Sequence, residues 1–221
     1  MSRVNPFEIV HLLESEIAAY TASPMVVCVD SCTNALGIVL EWLEQIDWKF
    51  DSPSVIEIPK KTYIGVPMQI LRAHYGVEFR EEDWDGEYQL KPFYLWDSAR
   101  RFRKDMWHED GDRRVGLRMP SDRKTYKCVS FHRSKILGHT HGGAILHNDH
   151  DFDEFAREVR FDGRKAGVPA AADNPRYIGR HCYMDPDVAA ALLHKFYYLS
   201  DYNPDLPKDA YPDLSQMDLF K

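Results

Sequence analysis

Long apolar runs are missing from this sequence: nothing approaches the ~20 consecutive hydrophobic residues of a membrane-spanning helix, so a helical membrane protein is excluded. The opening MSRVNPFEIVHLLESEIAAY lacks the charged, apolar and small-residue order of a secretory signal, and the expected compartment is the cytoplasm. Cysteine is scarce. Cys28, Cys32, Cys128 and Cys182 stand in no CxxC or zinc-like spacing, which argues against a disulfide scaffold and fits free thiols in a reducing compartment. There is no internal repeat and no excess of positive charge; the net charge of -7 argues against a protein that coats nucleic acid.

What is present suffices for one sizeable core, since 44% of the 221 residues are hydrophobic, and one compact domain is expected. Val10, Leu13, Ile17 and Tyr20 recur at helical spacing, and that helix should end near TASP. MVVCVD reads as a buried strand, followed at once by SCTNALGIVLEWLEQI, a helix opened by cap-forming Ser31 and Thr33 with Leu36, Val39, Leu40 and Leu43 on one face. The unit recurs as the strand SVIEIP, the helix IGVPMQILRAHYG and the strand VEF. Further strands are FYLWD, YKCVSF and GGAILHN, and further helices start at DFDEFAREVR and at Asp185. This alternation predicts an α/β fold with a mostly parallel sheet flanked by helices, its functional groups at the carboxyl ends of strands, where Ser31, Asp97 and Ser130 fall. The Pro- and Asp-rich residues 201–221 read as an irregular arm packing on a domain formed by residues 1–200.

Charge is uneven along the chain. From Arg100 to Lys127 there are ten Lys and Arg against five Asp and Glu, either a solvated loop with local ion pairs or a patch facing phosphates.

Four places carry separable chemistry. Lys135 lies between an apolar strand and a loop rich in Gly and His; an amine placed there can serve as a nucleophile, although most lysines are surface charges. DSCTN joins a strand to a helix N-terminus, where free amides, the helix dipole and the hydroxyls of Ser31 and Thr33 suit a phosphate, or make an ordinary N-cap. Tyr63 follows a strand and offers an aromatic face, or a core tyrosine. Asp97 ends FYLWD, and a carboxylate buried there needs a cation or good hydrogen bonds; a protonated pyridine nitrogen would serve. Phosphate cradle, ring stacker, pyridinium partner and amine together make the binding kit of pyridoxal phosphate (PLP).

On these stretches the sequence resembles the nucleotide-sugar aminotransferases of PLP fold type I, the DegT/DnrJ/StrS group. DSCTNAL resembles that family's Ser-Gly-Thr-x-Ala-Leu, IPKKTYIGVPMQI its strand and Thr-aromatic segment, WDSA its Glu-Asp-Ala-Ala, and SFHRSK its Ser-Phe-x-x-x-Lys; GGAILHND and GRHCYMDPDVAAALL follow in order, to about residue 200. The resemblance implies Lys135 as the Schiff-base lysine, Asp97 on the pyridinium nitrogen, Tyr63 on the ring, and Ser31, Cys32, Thr33 and Ser130 around the phosphate. It further implies a homodimer with a shared active site, an amino-acid donor and a nucleotide-linked keto acceptor.

Four departures stand out. Cys32 replaces the glycine of the phosphate turn, which leaves the backbone there less free. Arg100 stands where the family has Gln or His near the ring hydroxyl, and His181 where it has an asparagine that reaches the neighbouring subunit's phosphate. The chain also stops soon after AAALL, so a short form without the family's C-terminal small domain is expected. Other readings remain beside this one: a PLP-dependent decarboxylase or lyase acting on an amino-acid or nucleotide adduct, or a non-catalytic PLP-fold scaffold. His139, His141, His147 and His150, with Asp149, invite a metal, but no HExxH-type helix holds them and no metal is expected.

Overall fold

The alternating pattern becomes a layered α/β fold in the computed structural model, which describes residues 5–47, 55–109, 123–207 and 210–220. Helix α1 (Glu8–Thr21) buries Val10, Leu13 and Ile17 and stops at Ala22, whose left-handed φ of 59° precedes Pro24. Strand β1 (Met25–Val29) leads into α2 (Cys32–Asp47), where Ser31 Oγ accepts the Asn34 N–H at 3.2 Å as an N-cap. β2 (Val55–Pro59), α3 (Gly65–Arg72) and β3 (Gly76–Arg80) follow. α3 is shorter than its sequence pattern, because the chain reverses at His74 with φ 63°. Then come β4 (Tyr88–Gln89), β5 (Leu95–Asp97), β6 (Tyr126–Ser130), β7 (Gly143–His147), α4 (His150–Val159) and α5 (Pro186–Phe196). Asp149 and Asp185 cap the last two helices by accepting the N–H groups of Asp151 and Asp187.

The main sheet has the order β1-β7-β6-β5-β4, and β2 pairs with β3 separately. The expectation of a mostly parallel sheet is corrected: β5/β6 and β2/β3 are parallel, whereas β1/β7, β6/β7 and β4/β5 are antiparallel. The reason lies in the connections. Parallel neighbours need a crossover, usually a helix, but residues 131–142 return from β6 without one and insert β7 between β6 and β1. β1, β5 and β6 nevertheless run the same way, so their carboxyl ends emerge together. Apolar residues alternate between two cores: Val27, Val29, Cys128 and Ile145 face α2 and α4, while Val26, Cys28, Val129 and Leu146 face α1 and α5.

The C-terminal segment runs over this body in short turns. Asp205 pairs with Arg101 at 2.6 Å, Leu214 N–H donates to Lys60 O at 2.9 Å, and Tyr211 stacks on Trp84. In the basic stretch, Arg101 also meets Glu87, Arg103 meets Glu109, Lys104 meets Asp201 and Lys124 meets Asp149, so these members form local ion pairs. Arg113, Arg114 and Arg118 lie outside the described residues.

β1 is an edge strand, and its outward backbone groups are covered by side chains. Cys28 N–H donates to Glu14 Oε1 at 2.9 Å, Arg160 Nη1 donates to Cys28 O at 2.6 Å, and Arg157 Nη2 donates to Val26 O at 3.1 Å. Glu14 in turn holds Arg160 at 2.5 Å and Arg157 at 2.7 Å. Burial alone would raise the Glu14 pKa; Arg160, His11 and Arg157 outweigh it and hold the carboxyl well below the ordinary range.

Glu14→Gln should therefore destabilise the protein by about 3–5 kcal/mol, because it strands buried Arg160. The folded-state pKa is depressed, so this stabilisation is complete above the unfolded carboxylate pKa of ~4.3 and is lost as pH falls toward the folded value. Urea unfolding at pH 7 and at acid pH should show the two proteins converging in the acid; a constant difference would remove Glu14 as the cause.

Candidate functional site

Where β1, β5 and β6 end, they enclose a cavity of about 470 Å³. Ser31, Cys32 and Thr33 reach it from the β1–α2 turn, Tyr63 from the approach to α3, Asp97 and Arg100 from β5 and its extension, and Ser130 and Lys135 from β6 and its loop. His181 is not among its walls. That ring is exposed, with Nδ1 2.7 Å from Asp162 Oδ2 and its edge against Tyr183.

One end of the cavity is the start of α2. The first amides of a helix have no intrahelical acceptor and lie at the positive end of its dipole; here Asn34 N–H is taken by Ser31, and Asp30 is held by Ser31 Oγ at 2.9 Å and by Asn34 Nδ2 at 2.8 Å. Cys32 is buried with Sγ 3.5 Å from Cys128 O, so its side chain extends toward the sheet, and burial pushes its thiol up and keeps it protonated. Gly143 lets β7 approach this turn: a Cβ there would stand 2.5 Å from Cys32 N.

A second wall of the cavity is acidic and buried, and it adjoins the first, since Cys32 Sγ is 4.0 Å from Asp97 Oδ1. Asp97 is 5% exposed, and its Oδ1 accepts the Ala99 N–H at 3.0 Å while Oδ2 accepts the Tyr88 O–H at 2.8 Å. Burial raises its pKa, against the pull of these two donors and of the Lys135 and Arg100 charges. Arg100 is buried and tied to the C-terminal segment, with its backbone O accepting Leu206 N–H at 2.9 Å.

Half-buried Lys135 lines the same cavity. Its loop is fixed by backbone bonds from Lys135 N–H to His132 O at 2.8 Å, from His139 N–H to Phe131 O at 2.7 Å and from Phe131 N–H to Gly142 O at 2.9 Å. Ser130 Oγ accepts the His132 N–H at 3.3 Å. Tyr63 is 53% exposed at the mouth. The arrangement can hold an anion at the helix end and a cation or proton-bearing ring nitrogen at Asp97, with an amine in reach of both.

Several neighbours of this site escape sequence reasoning. Trp84 and Tyr211 line the cavity from segments with no periodic pattern, and Tyr88 stands behind Asp97 on a strand only two residues long. Thr62, next to Tyr63 in TYIG, also lines the cavity. Among the described residues no group of three or more His, Cys, Asp or Glu could hold a metal. His147 packs its ring on Phe152 in the core, away from the exposed His141. Among the described residues no helix is long and apolar enough to cross a membrane.

Residues 108–205 match the model of the DegT/DnrJ/EryC1/StrS aminotransferase family, a span that holds Ser130, Lys135 and His181. No curated protein matches the chain. Similar solved structures include a sugar aminotransferase from Micromonospora echinospora, at 16% identity over 86% of this chain and 60% of that one with a TM-score of 0.62. A DegT DnrJ EryC1 StrS aminotransferase from Brucella abortus is similar at 18% identity over 87% and 59%, TM-score 0.62. A Helicobacter pylori aminotransferase involved in the biosynthesis of pseudoaminic acid is similar at 14% identity over 86% and 58%, TM-score 0.60. The chain spans under two thirds of the length of each. The shared fold is the α/β large domain of PLP fold type I.

Gly143→Ala should destabilise the protein by about 1–3 kcal/mol, since the new Cβ meets the Cys32 and Ser31 backbone and not the end of a flexible side chain. Calorimetry should show a lower Tm; an unchanged Tm would mean that the β7–α2 contact yields without cost.

Proposed function

We propose that this chain is a PLP-dependent aminotransferase that moves an amino group from an amino-acid donor to a keto group, with a nucleotide-linked sugar as the leading acceptor. The observation that carries the reading is the joint presence, on one cavity, of a helix N-terminus, a buried carboxylate and the Lys135 amine. This donor set fits PLP: a dianion for the α2 end, a basic ring nitrogen for Asp97 and an aldehyde for Lys135. The cavity of about 470 Å³ falls within the range of small-molecule sites, roughly 300–1,000 Å³. Sequence and fold point the same way, through the match over residues 108–205 and the solved sugar aminotransferases of like fold.

When bound, the cofactor supplies an electron sink for the carbanion formed at the substrate carbon. The chain's own residues divide the remaining work. Ser31, Cys32, Thr33 and Ser130, with the first amides of α2, hold the phosphate. Tyr63 would cover the ring face and Arg100 would serve the ring hydroxyl, both being on the cavity wall. Asp97 keeps the pyridine nitrogen protonated, which its burial makes effective because a charge in a dry setting is weakly screened. Lys135 Nζ would be the nucleophile that anchors the cofactor, and its free amine would be the base that takes and returns the proton at the substrate carbon.

His181 does not line its own cavity; in this reading it serves the phosphate of a second copy, in a two-fold dimer with shared sites. Residues 1–200 form the cofactor-binding unit and 201–221 an arm on its surface. Four buried free thiols favour a reducing cytoplasm.

Adding PLP should produce a visible absorption band that glutamate alters, and borohydride should fix the pyridoxyl group on the peptide containing Lys135. Lys135→Ala should lose that label and turnover; a label on another lysine would overturn its role. Asp97→Asn should lower turnover by orders of magnitude, each tenfold being about 1.4 kcal/mol of barrier, and near-normal turnover would make Asp97 structural.

A further inference from the structure

Behind Asp97 lies a chain of hydroxyl groups that the functional reading does not use. Tyr88 is 2% exposed and Thr62 1% exposed, and Thr62 Oγ1 and the Tyr88 hydroxyl oxygen are 2.6 Å apart. A phenol has one proton to give. Tyr88 gives it to Asp97 Oδ2 at 2.8 Å, so Thr62 must be the donor to Tyr88. The three residues come from different segments: Thr62 from the link between β2 and α3, Tyr88 from β4, Asp97 from the end of β5. Antiparallel pairing sets Tyr88 directly across from Asp97.

We propose that Tyr88 and Thr62 are positioning residues for Asp97, a directed Thr62–Tyr88–Asp97 relay that keeps the carboxylate ionised and fixes its orientation toward the cavity. It rests on the PLP reading for its purpose, while its geometry belongs to the chain alone. Tyr88 is not among the cavity's walls, and Thr62, 1% exposed at the wall, has its hydroxyl bonded to Tyr88; both act through Asp97.

The surroundings make such a relay necessary. Cys32 of α2 has Sγ 4.0 Å from Asp97 Oδ1, and Cys128 of β6 is its register partner. Burial pushes both thiols up, so they stay neutral and bring no countercharge. Lys135 and Arg100 are the cations whose charge acts on Asp97, and Lys135 is the one that must change partners during the reaction. Burial and the Asp97 charge push the Tyr88 phenol up, so its proton stays on and it remains a donor throughout. A carboxylate held by donors that do not titrate keeps its charge while the amine beside it changes state.

The test compares the wild type with Tyr88→Phe, Thr62→Val and Thr62→Ser. In the cofactor-free protein, ¹³C titration of the Asp97 carboxyl, assigned by its loss in Asp97→Asn, should move up by about one pH unit in Tyr88→Phe. Thr62→Val should move it less in the same direction, and Thr62→Ser, which keeps the hydroxyl, should leave it in place. The acid-side loss of PLP affinity should shift to higher pH by the same amount, giving about tenfold weaker binding on that limb. An Asp97 titration unchanged in both Tyr88→Phe and Thr62→Val would overturn the relay. A wild type that fails to bind PLP while Tyr88→Phe still shifts Asp97 would support the relay and overturn the cofactor reading instead.

Discussion

The buried carboxylate of Glu14 ties together helix α1, strand β1 and the end of helix α4. An edge strand presents unpaired backbone groups, and β1 is such a strand although both its faces are buried. Glu14 accepts from the Cys28 amide and also holds Arg157 and Arg160, which donate to the carbonyls of Val26 and Cys28. One residue of α1 and two at the end of α4 thus do for β1 what another strand would have done. Residues 182 and 183 extend the cover, with Asp30 N–H donating to Cys182 O at 2.9 Å. The turn at Ser31 and Cys32 is the continuation of this strand, so the α2 end of the cavity is held in place from the edge of the sheet.

The reversed strand β7 performs the complementary task. Its first residue, Gly143, is the register partner of both Val29 and Ser130. The ends of β1 and β6 are therefore level, and the hydroxyl-bearing residues that follow or finish them open into one cavity. On the far side of β6, Asp97 pairs with Cys128, two residues deeper than Ser130, or roughly 7 Å along the strand. That offset sets Asp97 deeper along the sheet than Ser130. The loop that reverses the chain is also the loop that carries Lys135, so topology and the placement of the amine have a single origin.

These relations divide sharply by how much local pattern they contain. α1 and α2 show long apolar stripes, and β1, β5 and β6 show apolar runs ending at polar residues; each is visible in the sequence, and with them the positions of Ser31, Asp97 and Ser130. Strand direction is different, because GGAILHN has the same composition whether it runs parallel or antiparallel, and only the helix-free link before it hints at a reversal. Tyr88 sits on a two-residue strand too short to show any period, so its bond to Asp97 was invisible although both residues are in plain view. Trp84 and Tyr211 meet only after the chain has passed through β5, β6 and α5. His181 is exposed and bonded to Asp162, and no local pattern in the sequence foretells that it lies off the cavity wall.

Trp84 has an indole N–H donating to Lys61 O at 3.1 Å, a face tilted on Tyr88 at 4.7 Å and Tyr211 stacked at 6.4 Å on its other side. It is held rigidly, it borders the cavity, and it contacts both the partner of Asp97 and the C-terminal segment. The fold thereby contains its own optical reporter: a chromophore entering the cavity and absorbing in the near ultraviolet would take up the emission of this indole. Arrival at the site, and the seating of the segment that carries Tyr211, would both register as light without any label attached.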